Sequence, residues 1–230
     1  MRKRNVMRRS LILKTIALLL LIAVKTNGQE QIVRERARRY EPVIAAAAAR
    51  YGVDPHLLWT IAYKETRFQP NLISPKGARG LMQFMPGTAV RYGLLNPHDP
   101  VQAIDAAARY ISDLQKKFGS REDLLLAAYN AGEGAVEAYR DGLRLVLPTG
   151  KVINPTFLRT GGVPPYTETQ GYVSGGTAIY RHITATNIFG VSVKLPNEVA
   201  PEEPERSMYM AVAQHNPPVS SVRTHSFYIP

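Results

Sequence analysis

Between residues 41 and 140 the chain is cut into helix-length pieces by its own start and stop signals, which limits the available folds more than any other feature. Pro42 stands near the start of an Ala-rich run, Glu41–Tyr51, and Gly52 follows as a stop. Asp54 and Pro55 then supply an N-cap and a first helical residue for a segment predicted to reach about Phe68. The same pair recurs as Asp99-Pro100. Behind it Val101, Ile104, Ala108, Ile111, Leu114 and Phe118 recur at spacings of three and four, and Gly119 closes the run. Ser120 with Asp123 reads as an acidic capping box for a helix over 124–130, and 134–140 reads as another short helix. Residues 71–80, punctuated by Ser74-Pro75, Gly77 and Gly80, form an ordered loop. Residues 81–92 read as short and helical, with Pro86 as a start or kink. No sustained apolar–polar alternation appears in this region. The predicted fold class is therefore all-α, with short loops.

The flanks differ. Residues 29–40 are a charged lead-in with helical character. Within 141–165, β-branched residues surround Pro148-Thr149-Gly150, which predicts a small β-hairpin. A last helix is expected over 167–183, weakened by Ser174-Gly175-Gly176. Residues 191–230 are rich in proline and lack periodicity, so a disordered tail is expected there. The domain proper is accordingly placed at 41–190, with 141–162 as an insertion.

The net charge of +11 suggests nucleic acid until its distribution is read. Seven of the 29 basic residues lie in residues 1–28, which hold no acid. The remainder carries 22 basic against 18 acidic residues, a mild +4. The basic head followed by the apolar run from Thr15 to Val24 matches a secretory signal peptide over 1–28. Ten residues span about 15 Å as a helix, half of a bilayer core. The alternative is an uncleaved anchor extended by Ser10–Lys14, and both readings place the domain in the periplasm or outside the cell. The chain has no cysteine, which removes disulfides, Cys-ligated metals, a thiol nucleophile and an acylated N-terminal cysteine.

Most familiar catalytic patterns are missing. The five histidines form no H-E-x-x-H, and no G-x-S-x-G elbow or P-loop occurs. Gly132-Glu133-Gly134 follows a helix and lacks the third glycine of a dinucleotide site. No cofactor and no metal are expected. Glu65 is the residue that does not fit a bland surface. It lies four after Ile61 and seven after Leu58, on the apolar stripe of its helix, with Lys64 and Arg67 on other faces. A carboxyl on a buried face has a raised pKa, as a general acid for a sugar leaving group needs. On periodicity alone, a structural glutamate that pairs with a cation or reaches solvent past the helix end is the more common reading.

Four blocks in order add to this. They are Lys64-Glu65-Thr66-Arg67-Phe68-Gln69-Pro70, then 74–83 (SPKGARGLMQ), then Ala127-Ala128-Tyr129-Asn130-Ala131-Gly132, then 163–173 (VPPYTETQGYV). Together they resemble the catalytic domain of the soluble lytic transglycosylases, relatives of goose-type lysozyme, over roughly residues 41–183. The resemblance implies a lysozyme-like helical fold with a groove for peptidoglycan glycan strands. It implies that Glu65 protonates the bond between N-acetylmuramic acid and N-acetylglucosamine, then takes the proton of the muramoyl 6-hydroxyl to give a 1,6-anhydro product. It further implies substrate contacts from Ser74, Met82, Gln83, Tyr129, Asn130, Glu168 and Tyr172. Of these, Met82 and Gln83 would line the groove, and Tyr129 would orient the carboxyl or the acetamide. Gly77 and Gly80 would let the loop approach the sugar. Two departures from the family stand out: residues 141–162, where family members pass directly to the Pro-Pro segment, and the glycine pair at 175–176. The rival readings are a muramidase of the same fold, in which water attacks, and a non-catalytic peptidoglycan-binding module of an envelope-spanning assembly with partners in the envelope.

Overall fold

The computed structural model describes residues 28–190. The signal-peptide reading of 1–28, except for its last residue, and the tail reading of 191–230 lie outside the described residues. The helical expectation is borne out: helices pack around a main core, with one small hairpin beside it. Helix α1 covers 28–38. Helix α2 is Glu41–Tyr51, with proline in its first turn and Gly52 in the left-handed region at its end. Helix α3 is Pro55–Thr66, capped by the Asp54 side chain accepting from the His56 amide at 2.8 Å. It stops short of the predicted Phe68 because Arg67 and Phe68 both take positive φ (49° and 61°) and turn the chain.

Residues 81–85 are not helical. Arg79 bridges to Ile73 and Phe84, which folds 71–85 into a tight loop, and Pro86 is a true start, opening α4 (Pro86–Arg91). Helix α5, Pro100–Phe118, is capped by Asp99 and closed by Gly119 as expected, but Val101 lies on its solvent side. Helix α6 is Glu122–Ala131. The expected Ser120–Asp123 capping box does not form: Arg121 is the N-cap, and its guanidinium grips Asp123 at 2.6 Å instead.

Helix α7, Glu133–Asp141, leads into the antiparallel hairpin β1 (Leu145–Val146) and β2 (Val152–Ile153), with Leu145 opposite Ile153. Helix α8, Thr167–Ala185, closes the fold and packs on α3 and α6. Its glycines do not break it. A Cβ on Gly176 would stand 2.9 Å from Leu126 Cδ1, so this glycine lets α8 approach α6 closely. The main core runs through α2, α3, α5, α6 and α8, with Leu58, Ile61, Ile104, Ile111 and Leu126 fully buried. A satellite cluster of Tyr139, Leu147 and Ile153 seats the hairpin on α7.

Asn154 fixes that hairpin. It is 1% exposed with φ 49°, a left-handed conformation that asparagine tolerates. Its Nδ2 lies 2.9–3.1 Å from the carbonyls of Ala138, Leu143 and Leu158, and its Oδ1 accepts from the Leu158 amide at 2.8 Å. Asn154→Ala strands these buried groups and is expected to lower stability by about 2–4 kcal/mol. A denaturant midpoint equal to that of the wild type would count against this account of the hairpin.

Candidate active site

The end of α3, the 71–85 loop, the α6–α7 junction, the hairpin and the start of α8 enclose an open cleft of about 700 Å³. Glu65 lies in the last turn of α3 and borders it. The Tyr172 hydroxyl of α8 donates to Glu65 Oε1 at 2.7 Å, and no other group among the described residues hydrogen-bonds to this carboxyl. Burial pushes the Glu65 pKa up to about 7. The Tyr172 hydrogen bond and the Lys64 charge oppose the rise, and Glu168 adds to it.

A second buried carboxylate provides the contrast. Glu133, 6% exposed, has Arg91 Nη1 at 2.5 Å from Oε1 and receives the Tyr110 hydroxyl at Oε2 at 3.0 Å. A guanidinium compensates that charge, as a structural carboxylate requires. Glu65 has a phenol and, among the described residues, no ion-pair partner, so it is free to hold a proton near neutrality.

This raised pKa has a consequence for stability. The folded state keeps its proton up to about pH 7, whereas the unfolded chain releases it near 4.5. Between those values the native state binds more protons, so this group's contribution makes folding less favourable as pH rises. The full loss, reached above pH 7, is about 3 kcal/mol. Glu65→Gln is therefore expected to match the wild type in urea midpoint at pH 4 and to exceed it at pH 8. Equal midpoints at both pH values would contradict a desolvated carboxyl.

The remaining expected residues are brought to the same region, with three changes of role. Tyr129 does not hold the carboxyl: its hydroxyl donates to the Met82 carbonyl at 2.8 Å, and Tyr172 takes the place at Glu65. Burial, with Glu65 nearby, holds both phenols well above the usual tyrosine pKa, so both remain neutral. Met82 does not line the cleft. Its side chain is fully buried in the core and it offers the site only its carbonyl. Gly80 approaches protein, since a Cβ there would stand 1.7 Å from the Pro97 carbonyl oxygen.

Ser74, Gln83, Asn130 and Glu168 do border the cleft. Ser74 Oγ accepts from the Ala78 amide at 3.0 Å, and Gln83 Nε2 donates to the Gly80 carbonyl at 2.9 Å, so both brace the loop. Asn130 Oδ1 accepts from Thr169 at 2.8 Å, joining α6 to α8. Glu168 pairs with Lys76 at 3.1 Å, with both side chains 71% exposed.

The stretch from Lys151 to Pro155, inside the 141–162 insertion, forms a wall of the cleft through the packing of the hairpin on α7. One feature escaped sequence reasoning. Thr66, 4% exposed, donates to the Leu81 carbonyl at 2.9 Å and so fastens the loop beside Glu65. Its place next to Glu65 at a helix end was the available signal.

Residues 42–142 match the family model described as "Transglycosylase SLT domain". The chain is 35% identical over 147 residues to membrane-bound lytic murein transglycosylase F 1 of Alkalilimnicola ehrlichii, a match covering 61% of this chain and 29% of that protein. It is 37% identical over 122 residues to membrane-bound lytic murein transglycosylase C of Haemophilus influenzae, covering 45% and 34% respectively. The solved complex of a 70-kDa soluble lytic transglycosylase with bulgecin A superposes with a TM-score of 0.52 at 25% identity, over 65% of this chain and 24% of that one. The chain thus spans about a quarter to a third of the length of these relatives.

Proposed function

We propose that this chain, which carries an SLT-type, lysozyme-like catalytic domain, is a lytic transglycosylase cleaving the β-1,4 bond between N-acetylmuramic acid and N-acetylglucosamine in peptidoglycan. The observation that carries the proposal is the Glu65 carboxyl, set in an open cleft, held by one phenol and with a pKa near 7. A carboxyl protonated at neutral pH can give its proton to the glycosidic oxygen as the bond breaks, which is general acid catalysis. The resulting carboxylate then takes a proton from the muramoyl 6-hydroxyl as that oxygen bonds to C1, closing a 1,6-anhydro ring. The proton returns to Glu65 and no water is consumed.

Glycosidases that use water or a covalent intermediate typically pair two carboxylates. Glu168, the other acidic side chain bordering the cleft, is ion-paired with Lys76 and faces solvent. An intramolecular hydroxyl removes the need for that second group, because its effective concentration far exceeds that of an external nucleophile. Ser74, Gln83 and Asn130 supply polar atoms along the strand's path. The leader-like first segment, and relatives whose names place them on a membrane and on murein, support an envelope location. Among the described residues no helix is long and apolar enough to cross a membrane.

Digestion of purified sacculi tests the proposal. Soluble muropeptides one water lighter than hydrolytic disaccharide-peptides are expected in the mass spectrum. Products carrying a free reducing muramoyl end would instead assign the chain to the muramidases. Undigested sacculi that retain the folded protein would assign it to binding modules.

A further inference from the structure

Lys64 and Glu65 are neighbours in sequence, and one phenol of α8 touches both. The Tyr172 hydroxyl donates to Glu65 Oε1 at 2.7 Å, while the Lys64 ammonium stands 5.1 Å from the centroid of the same ring. The ammonium also lies 3.5 Å from the Gly171 carbonyl, at the outer limit of a hydrogen bond. Gly175 follows Tyr172 by three residues and therefore shares its face of α8. A Cβ on Gly175 would stand 2.9 Å from Lys64 Nζ. Glycine inside a helix weakens it, and here the missing side chain leaves the space the ammonium occupies.

We propose that Lys64 is a positioning residue for the catalytic acid: its ammonium, lodged in the notch left by Gly175, clamps the Tyr172 ring so that the phenol stays aimed at Glu65. This inference rests on Glu65 being the acid. A cation over an aromatic face is attracted by the ring quadrupole and draws electron density from it. That makes the hydroxyl a better donor to the carboxylate.

The groups facing Glu65 are Lys64 on its own helix, Tyr172 and Glu168 on α8 and Tyr129 on α6, with Lys76 paired to Glu168. Lys64 is the cation among them that lowers the Glu65 pKa. Removing it favours the protonated acid, so the alkaline limb of the activity profile moves to higher pH.

Three variants test the proposal: Lys64→Met, Lys64→Arg and Gly175→Ala. Each is followed by kcat/KM against pH on sacculi and by carbon-13 NMR titration of the Glu65 carboxyl, assigned as the resonance absent in Glu65→Gln. Lys64→Met is expected to move both midpoints up by about half a pH unit, leaving about threefold more protonated acid at pH 8. Lys64→Arg keeps the charge and the wild-type midpoints. Gly175→Ala displaces the ammonium but keeps its charge while improving the helix, so it raises thermal stability yet shifts the midpoints in the same direction as Lys64→Met, by less. A purely structural role for Gly175 would not produce that combination. In a Tyr172→Phe background, Lys64→Met is expected to shift the midpoints by less than it does in the wild type, because only the direct effect of the charge remains. Equal shifts in the two backgrounds would mean that Lys64 acts by its charge alone and would overturn the clamp.

Wild-type midpoints in folded Lys64→Met and Gly175→Ala would overturn the proposal. The NMR titration does not depend on turnover, so a failure of the transglycosylase reading and a failure of the clamp are separately visible.

Discussion

Glu65→Gln is expected to lower glycan cleavage by at least the 10²–10⁴-fold typical of a lost general acid or base (about 3–5 kcal/mol) while the protein still folds and binds sacculi. The amide matches the carboxyl in size and can still accept the Tyr172 hydrogen bond, but it can neither give nor take the reacting proton. Glu168, the other carboxylate bordering the cleft among the described residues, is paired with Lys76 and faces solvent, so it is not placed to take over. Turbidity clearance of sacculi, with circular dichroism as the control for folding, measures both halves of the expectation. A folded Gln variant that clears sacculi at the wild-type rate would remove Glu65 from the chemistry.

The largest expected loss of stability comes from a residue that does not border the cleft. Gly80 has φ 78°, and a Cβ there would stand 1.7 Å from the Pro97 carbonyl oxygen and 2.6 Å from its carbon. The obstacle is backbone, which cannot swing aside as a flexible side chain can. Gly80→Ala therefore combines a left-handed strain with a forced separation of two chain segments, and about 3–5 kcal/mol of stability is expected to be lost. Gly77 is the control: its φ is 86°, but a Cβ there meets nothing within 4 Å. Gly77→Ala should lose only the conformational part, about 1–2 kcal/mol. Urea unfolding of the two variants measures the difference, and equal midpoint shifts would show that the Pro97 contact is not what demands glycine at position 80.

The parts of the fold set by local chemistry were legible in the sequence. Asp54-Pro55, Asp99-Pro100, Gly52 and Gly119 mark helix ends where they stand, because caps and stops act within a few residues. The stripe carrying Glu65 was legible for the same reason, since helical periodicity alone places it beside Ile61 and Leu58.

What depended on distant partners was not legible. Residues 81–85 have enough apolar character for a helix, but Thr66 and Arg79 draw them into the loop instead. Tyr129 and Tyr172 are both aromatic and both near Glu65, and only the packing of α8 on α3 decides which hydroxyl reaches the carboxyl. Met82 sits beside a cleft residue in sequence yet turns into the core. The glycines at 175 and 176 resemble a break until Lys64 and Leu126 are seen to occupy the space they leave.

The central claim is that one carboxyl suffices because the nucleophile belongs to the substrate. Digestion of purified sacculi in water enriched in heavy oxygen tests it most directly, with the muramoyl ends read by mass spectrometry. If the muramoyl 6-hydroxyl closes onto C1, the released ends are anhydro-muramoyl and carry no heavy oxygen. Heavy oxygen at C1 of a reducing muramoyl end, formed in the primary cleavage, would mean that water attacks and would contradict the account.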